Sequence, residues 1–387
     1  MRKLTKTYKV TFRPVEPYFF GNEKTFAFPS KDENTKPALS SYFVKSEDTP
    51  SQSTILGALR YLFLAHKNPD FKYTKEQAAD NVKAIGSASF DIASENVQDF
   101  GLIRKISPVF ISGKDKDGNG IVLIPTPMDH NRKDSKEIRE STPEAKLYYS
   151  PFNDYLTVQT IENRKLYAND FDVKEGLEKS FVSLADGEIY NKENIFETDL
   201  RIGINRLVQN KDFFKKEYKM LKDGFAFTVY AELDIEDSNE IVSKPQCVFL
   251  GQGKSAFCVK FEEEKNELTD SVEAFIKKHS RTENDTDKER ILCTFIYCLS
   301  DTFVSAFNTE NILFCSIDTK DYRTFKTKLR DKDDFKFTKV EKGSSLYRLL
   351  KAGSIIITTD KSDLNLTNEN ANQIGFNSII KIGGIEL

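Results

Sequence analysis

Near the start of the chain Tyr8, Val10 and Phe12 alternate with Lys9, Thr11 and Arg13. That period of two predicts a strand with one apolar and one basic face. Pro14 and Pro17 then limit regular pairing, and Phe19-Phe20-Gly21-Asn22-Glu23-Lys24 reads as an exposed excursion with an aromatic base. The period changes after Thr49-Pro50-Ser51-Gln52-Ser53. Ile55, Leu56, Leu59, Leu62 and Phe63 make one apolar stripe of a helix predicted over Thr54 to His66, with Arg60 on another face and Pro69 at the exit.

Further along, Lys114 to Lys146 is charged and rich in Gly and Pro, and reads as an insertion or mobile loop. Asp172 to Thr198 mixes strand pieces and turns. A helix is predicted around Asp212 to Leu221, followed by strands over Phe225 to Leu233 and Gln246 to Leu250. Val272, Phe275 and Ile276 mark a surface helix within the charged stretch Glu262 to Arg290. Strands near Ser354 to Thr358 and Ile379 to Ile382 complete an α+β pattern without an internal repeat. The last strand lies in Gly375-Phe-Asn-Ser-Ile-Ile-Lys-Ile-Gly-Gly384, where glycines bracket an apolar run carrying Lys381. A tight structural turn and a phosphate-holding element both fit that ending.

At 387 residues the chain is long enough for two domains with substantial cores. A net charge of -3 argues against an indiscriminate nucleic-acid binder but leaves room for a local basic groove. The opening residues contain no long apolar segment, and Ile291 to Phe303 is too short and too interrupted to span a bilayer, so a cytoplasmic protein without a membrane partner is expected. Cys247, Cys258, Cys293, Cys298 and Cys315 lack Cys-x-x-Cys spacing and read as reduced core residues, with no disulfide framework or zinc site.

Three chemical leads fail on their own residues. Asp115-Lys-Asp-Gly-Asn-Gly120 begins like a calcium loop, but Thr126 stands where a bidentate glutamate is required, so a polar turn is expected. Gly251-Gln-Gly-Lys-Ser255 imitates the end of a nucleotide-binding loop, yet Val248 replaces its first glycine. A small glycine turn and a phosphate-contacting turn remain open there. His66, His130 and His279 show no spacing that sets two imidazoles about one scissile bond. No catalytic residue, metal site or cofactor is expected.

Basic residues concentrate in two places. Arg2, Lys3, Lys6, Lys9 and Arg13 have no acid among them, and Arg201 to Lys222 carries seven basic residues against Asp212 and Glu217, a local +5. Such groups can meet phosphates, while glycines let backbone approach them closely.

Thr11-Phe-Arg-Pro-Val-Glu-Pro-Tyr-Phe-Phe-Gly21, Pro50-Ser-Gln-Ser-Thr-Ile-Leu-Gly-Ala-Leu-Arg60, Arg201-Ile-Gly-Ile-Asn205, Leu250-Gly-Gln-Gly-Lys254 and Gly375 to Gly384 occur in order across nearly the whole chain. In them the sequence resembles the third-subunit family of the type III-B CRISPR Cmr effector, within the repeat-associated mysterious protein (RAMP) superfamily. The resemblance implies two modified ferredoxin-like (RRM-like) domains with charged insertions, taken here as residues 1–200 and 201–387. It also implies a noncatalytic, guide-RNA-binding architectural subunit that organises the crRNA 5′ tag. Its partners would be the large polymerase-like subunit and a neighbouring RAMP backbone subunit, with target RNA met indirectly. Arg13, Lys24, Arg60, Arg201, Asn205, Arg206 and Lys254 are the expected phosphate-facing residues. Gly203, Gly251, Gly253, Gly383 and Gly384 are expected to shape the approach, Lys381 to add charge, and Phe19 and Phe20 to stack, contact a partner or pack in the core. Two alternatives are a RAMP-family guide-RNA processing endonuclease and a protein-only scaffold.

Overall fold

The computed structural model describes residues 5–22, 43–70, 75–86, 89–128, 147–149, 156–162, 165–168, 180–205, 212–235, 240–251, 253–264, 267–279, 292–305, 310–329, 337–342, 345–359, 366 and 368–386. In chain order the strands begin β1 Lys6–Pro14, β2 Phe43–Lys45, β3 Ile103–Ile106, β4 Phe110–Lys114, β5 Gly120–Pro125, β6 Leu147–Tyr149, β7 Leu156–Glu162 and β8 Lys165–Ala168. They continue with β9 Phe181–Ser183, β10 Ile189–Tyr190, β11 Phe196–Asn205, β12 Asp212–Leu221, β13 Ala226–Leu233, β14 Gln246–Leu250, β15 Ser255–Glu263 and β16 Leu292–Cys298. The last are β17 Thr302–Phe303, β18 Ile312–Ser316, β19 Thr319–Tyr322, β20 Phe325–Leu329, β21 Phe337–Lys342, β22 Tyr347–Leu350, β23 Ile355–Thr359 and β24 Ile379–Glu386. The helices are α1 Gln52–Lys67, α2 Lys75–Ile85, α3 Lys192–Ile195, α4 Glu240–Ser243, α5 Leu268–His279 and α6 Glu369–Gln373. The result is an α+β protein built on several antiparallel sheets.

Two compact units are interleaved in sequence: residues 1–109, 193–264 and 321–347 form the first, and 110–192, 265–320 and 348–387 the second. In the first, β1 lies between β13 and β15, antiparallel to both, with Val10 opposite Val229 on one side and Phe261 on the other. Tyr8, Val10 and Phe12 point inward and are buried, whereas Arg13 is exposed, as the alternation predicts. β14 extends the sheet beyond β15, and β3 pairs with the far side of β13. Phe12, Phe227 and Phe257 are each 0% exposed. Burial of each such side chain contributes about 1.5–3 kcal/mol.

Helix α1 follows from local chemistry. Ser51 caps it, its Oγ accepting from the Thr54 amide at 3.3 Å, and the Asn68 amide closes the far end on the Leu64 carbonyl at 2.8 Å. Its predicted stripe, Ile55, Leu56, Leu59, Leu62 and Phe63, is buried. The helix packs against β14 and α2.

One element departs from its prediction. Asp212 to Leu221 is a strand, β12, paired residue for residue with β11 from Phe196↔Leu221 to Asn205↔Asp212, with β2 parallel on its other side. Lys215, Lys216, Glu217, Lys219, Met220 and Leu221 favour a helix locally, but ten cross-strand partners override that preference. A second departure concerns the expected exposed excursion, whose Phe19 and Phe20 are 3% and 4% exposed; of the roles expected of these two rings, core packing is the one observed. A third concerns the cysteines: Cys293 and Cys298 are buried, but Cys247 and Cys315 are exposed. Lys114 to Pro125 forms the β4–β5 hairpin, whose Asp115 carboxylate accepts from the Asp117 and Asn119 amides at 2.9 and 2.7 Å, the expected polar turn. The rest of the expected insertion, from residue 129 to 146, lies outside the described residues.

In the second unit β16 lies between β23 and β24. Gly375 has φ +88° and Asn377 φ +51°. The buried Asn377 amide donates to the Phe303 and Leu366 carbonyls at 2.8 and 2.9 Å, and its oxygen accepts from the Phe303 amide at 2.9 Å. Gly383 and Gly384 lie within β24 beside a register shift against β16, so they sit at an irregularity of the ladder. Among the described residues no helix is long and apolar enough to cross a membrane.

Candidate nucleic-acid interface

Residues 17–22 of the first unit are gripped from three directions. Tyr18 exchanges backbone hydrogen bonds with Lys219 at 2.8 and 3.0 Å, joining the segment to β12. The Phe20 amide donates to Ser46 Oγ at 2.9 Å, and Ser255 Oγ donates to the Pro17 carbonyl at 3.0 Å. Gly251 closes the third side. It has φ +75°, and a Cβ placed there would come within 2.4 Å of the Phe19 carbonyl oxygen. Glycine is required at this position for both conformation and space.

This grip explains the aromatic pair. Phe20 and Tyr18 join Phe227 and Phe257 in the core, with ring centroids 4.6 to 6.4 Å apart. The Tyr18 hydroxyl donates to the Asp48 carbonyl at 2.9 Å. Burial, and then the Asp48 charge, raise its pKa well above the ordinary 10.0. Asp48 also pairs with Lys219, whose side chain is only 12% exposed, so that cation is committed to the fold.

Above Phe19 the surface is cationic. Lys216 Nζ stands 3.9 Å from the Phe19 ring centroid and 5.0 Å from that of Tyr218, while Arg201 Cζ lies 4.2 Å from the Tyr218 centroid. The Phe19 and Tyr218 centroids are 5.6 Å apart. Gly253 adjoins the same ring, since a Cβ there would lie 3.7 Å from Tyr218 Cε1. The turn from Gly251 to Lys254 is closed by the Lys254 amide on the Gly251 carbonyl at 3.2 Å, and Lys254 itself has φ +51° and is exposed. Arg201 and Gly253, far apart in sequence, therefore converge on Tyr218, with Gly251 against Phe19 and Lys254 on the same turn. Rings hold the two cations in place without neutralising them.

The cations differ in availability. Arg201 pairs with Asp199 at 2.8 Å and Arg13 with Asp223 at 3.0 Å, with the arginine side chains 52% and 58% exposed. Such surface pairs contribute about 0–1 kcal/mol, little enough for a phosphate to displace the carboxylate. Arg60 is half-buried, 5.1 Å from the Phe100 centroid and 3.4 Å from the Asp99 carbonyl; burial lowers its pKa to about 10.

The other expected residues lie apart from this cluster or outside the description. Gly203 and Asn205 are on β11, opposite Phe214 and Asp212. Lys381, exposed, and Gly383 and Gly384 belong to β24 of the second unit. Lys24 and Arg206 lie outside the described residues. Lys216 counts in the sequence only toward local charge, Tyr218 carries no sequence signal until β12 is read with a period of two, and Asp48 carries none. No group of three or more His, Cys, Asp or Glu able to hold a metal occurs among the described residues. His66 is exposed on the last turn of α1; His130 lies outside the described residues.

These features define an α+β protein with a cation-bearing surface over a glycine turn. The sequence model of the CRISPR-associated protein (Cas_Cmr3) family matches residues 10–285, and the chain belongs to that family. No match was found among curated proteins. Among solved structures the chain is similar to one in the type III-B Cmr-beta bound to cognate target RNA, at 14% identity and TM-score 0.42, covering 96% of each chain. It is also similar to a chain of the Csm3-Csm4 subcomplex of the type III-A CRISPR-Cas interference complex, at 12% identity and TM-score 0.34, covering 95% of this chain and 97% of that one. A chain of the Csm1-Csm4 cassette in complex with cA4 matches at 10% identity and TM-score 0.33, covering 98% of this chain and 95% of that one.

Proposed function

We propose that this chain is a noncatalytic, guide-RNA-binding architectural subunit of a type III CRISPR effector that organises the crRNA 5′ tag. The observation carrying the proposal is the convergence of Arg201, Lys216 and the Gly251-to-Lys254 turn on Tyr218, in a chain of a CRISPR-associated family. The two cations attract phosphate, and the rings beneath hold them oriented. Glycine at position 251 lets the turn that carries Gly253 and exposed Lys254 close against Phe19 and Tyr218, where Lys254 adds a further cation for phosphate. Arg13 offers a further displaceable guanidinium.

Arg60, Gly203, Asn205, Lys24 and Arg206 are assigned as further RNA-contacting residues, as are Lys381, Gly383 and Gly384 of the second unit. The large polymerase-like subunit and a neighbouring RAMP backbone subunit are the proposed protein partners, target RNA is met indirectly, and the assembly works in the cytoplasm. We read the chain as two modified ferredoxin-like domains, residues 1–200 and 201–387. The separate sheets around β1 and around β16 support two domains, although the first sheet draws β13, β14 and β15 from beyond residue 200.

RNA–protein crosslinking in the native complex, mapped to residues, tests the reading. Crosslinks at Arg201, Lys216 or the Gly251-to-Lys254 turn, lost in an Arg201→Ala/Lys216→Ala variant that still assembles, are expected. Guide RNA crosslinking elsewhere only, unchanged in that variant, overturns the site. Cleavage of precursor repeat RNA by the purified chain, abolished by His66→Ala, would overturn the noncatalytic assignment.

A further inference from the structure

Cys247 on β14 and Cys258 on β15 are direct register partners. Their geometry follows from the neighbouring strand. In an antiparallel ladder each residue turns its N–H and C=O toward the same neighbour, and successive residues alternate. The Val15 amide donates to the Ala256 carbonyl at 2.9 Å, so Ala256 faces the β1 side, and Cys258, two residues on, does the same. Cys258 therefore spends its backbone groups away from β14, which makes Cys247–Cys258 a non-hydrogen-bonded pair. Such pairs bring Cα atoms to about 4.5 Å. That separation is within the range of about 4.4–6.8 Å that a disulfide spans.

Burial places both thiols on the outer face. Val248, Leu250, Phe257 and Val259 are the inward residues of the two strands, while Cys247 is exposed and Cys258 half-buried. The remaining cysteines have no comparable arrangement. Cys293 and Cys298 are buried, and burial pushes the Cys298 thiol up to about 12. Cys315 is exposed on β18, but its register partner is Ile356 and burial raises its thiol as well.

We infer that Cys247 and Cys258 form a reversible cross-strand disulfide site, open to oxidation by small-molecule disulfides. The exposed Cys247 thiolate attacks one sulfur of the oxidant, whose S–S bond breaks and releases one thiolate, which takes up a proton. Cys258 thiolate then attacks the Cys247 sulfur, forming the protein S–S bond and expelling the second small thiol. Two protein thiols lose their hydrogens and two electrons, and one disulfide becomes two thiols. A bridge at such a site ties together the strands that carry the Gly251-to-Lys254 turn. Being exposed, it is readily reduced again.

The test uses the reduced full chain, at low concentration, in oxidised glutathione, followed by alkylation of remaining thiols and tryptic digestion. Cleavage after Lys254 separates the two cysteines, so the bridge reads as a pair of linked peptides that dithiothreitol releases. That pair is expected in chains of monomer mass carrying no glutathione on Cys247 or Cys258. Cys247→Ser should instead leave Cys258 with a retained glutathione adduct, and Cys258→Ser should do so for Cys247. Stable glutathione adducts on both cysteines of the unsubstituted chain, linkage to Cys315, or linkage only between two copies would overturn the inference.

Discussion

Replacing Gly251 with alanine separates the two demands on the Gly251-to-Lys254 turn. The first demand is conformational: φ is +75°, where an L side chain costs about 1–2 kcal/mol. The second is space, because the new Cβ would meet the Phe19 carbonyl oxygen at 2.4 Å, and that oxygen belongs to backbone held between β12 and Ser46. Forcing atoms into a packed site costs about 1–3 kcal/mol. Gly224 supplies the control in the same unit, since it has φ +92° and its added Cβ meets nothing within 4 Å. Gly224→Ala therefore carries the conformational cost alone, and Gly251→Ala a total of about 2–5 kcal/mol. Native-state hydrogen exchange, read on peptides spanning residues 15–22 and 246–260, resolves the difference. An extra 1–3 kcal/mol corresponds to roughly 5- to 150-fold more frequent opening. Exchange in those peptides that rises no more in Gly251→Ala than in Gly224→Ala would refute the close approach between the turn and Phe19.

Arg201→Ala and Lys216→Ala should each weaken binding to single-stranded RNA and reduce the slope of log K against log salt by about 0.7, measured by a salt titration of the assembled complex. Tyr18→Phe should cost about 1–2 kcal/mol at pH 8 through the lost hydrogen bond to Asp48. Because the folded pKa of Tyr18 is raised, its contribution is fully present below pH 10.0 and is lost as pH climbs from there through the folded value. The stability gap between the two proteins should then narrow above pH 10, and a constant gap in denaturation experiments to pH 11 contradicts this account. Asn377→Ala strips three hydrogen bonds from a buried position and should destabilise the second unit by about 3–5 kcal/mol, visible as increased exchange in residues 300–305 and 366–380.

Local patterns in the sequence foretell much of the first unit. The alternation from Tyr8 to Arg13 assigns both the strand and its buried face, and the stripe from Ile55 to Phe63 does the same for α1. What local pattern cannot supply is a partner. β12 reads as a helix when taken alone, and becomes a strand because β11 presents a matching edge over its full length. The site inherits the same difficulty. Arg201 and Gly253 stand out as a basic residue and a glycine within motifs, yet Tyr218 joins them only when β12 is a strand and Lys216 and Tyr218 share a face. Phe19 stands out as an aromatic, but its burial under Lys216 depends on the distant Gly251 turn.

The central position of β1 has a consequence in time. Its two partners, β13 and β15, begin at Ala226 and Ser255, more than two hundred residues later in the chain. At a synthesis rate of about 5–20 residues per second, β1 waits roughly 12–50 seconds before both edges can be paired. The apolar face of Tyr8, Val10 and Phe12 has no lasting burial until then, and the contacts that organise the first unit are among the most distant in sequence. Assembly of this unit is thus a late event on the ribosome, governed by the arrival of β15 and not by the early completion of β1 and α1.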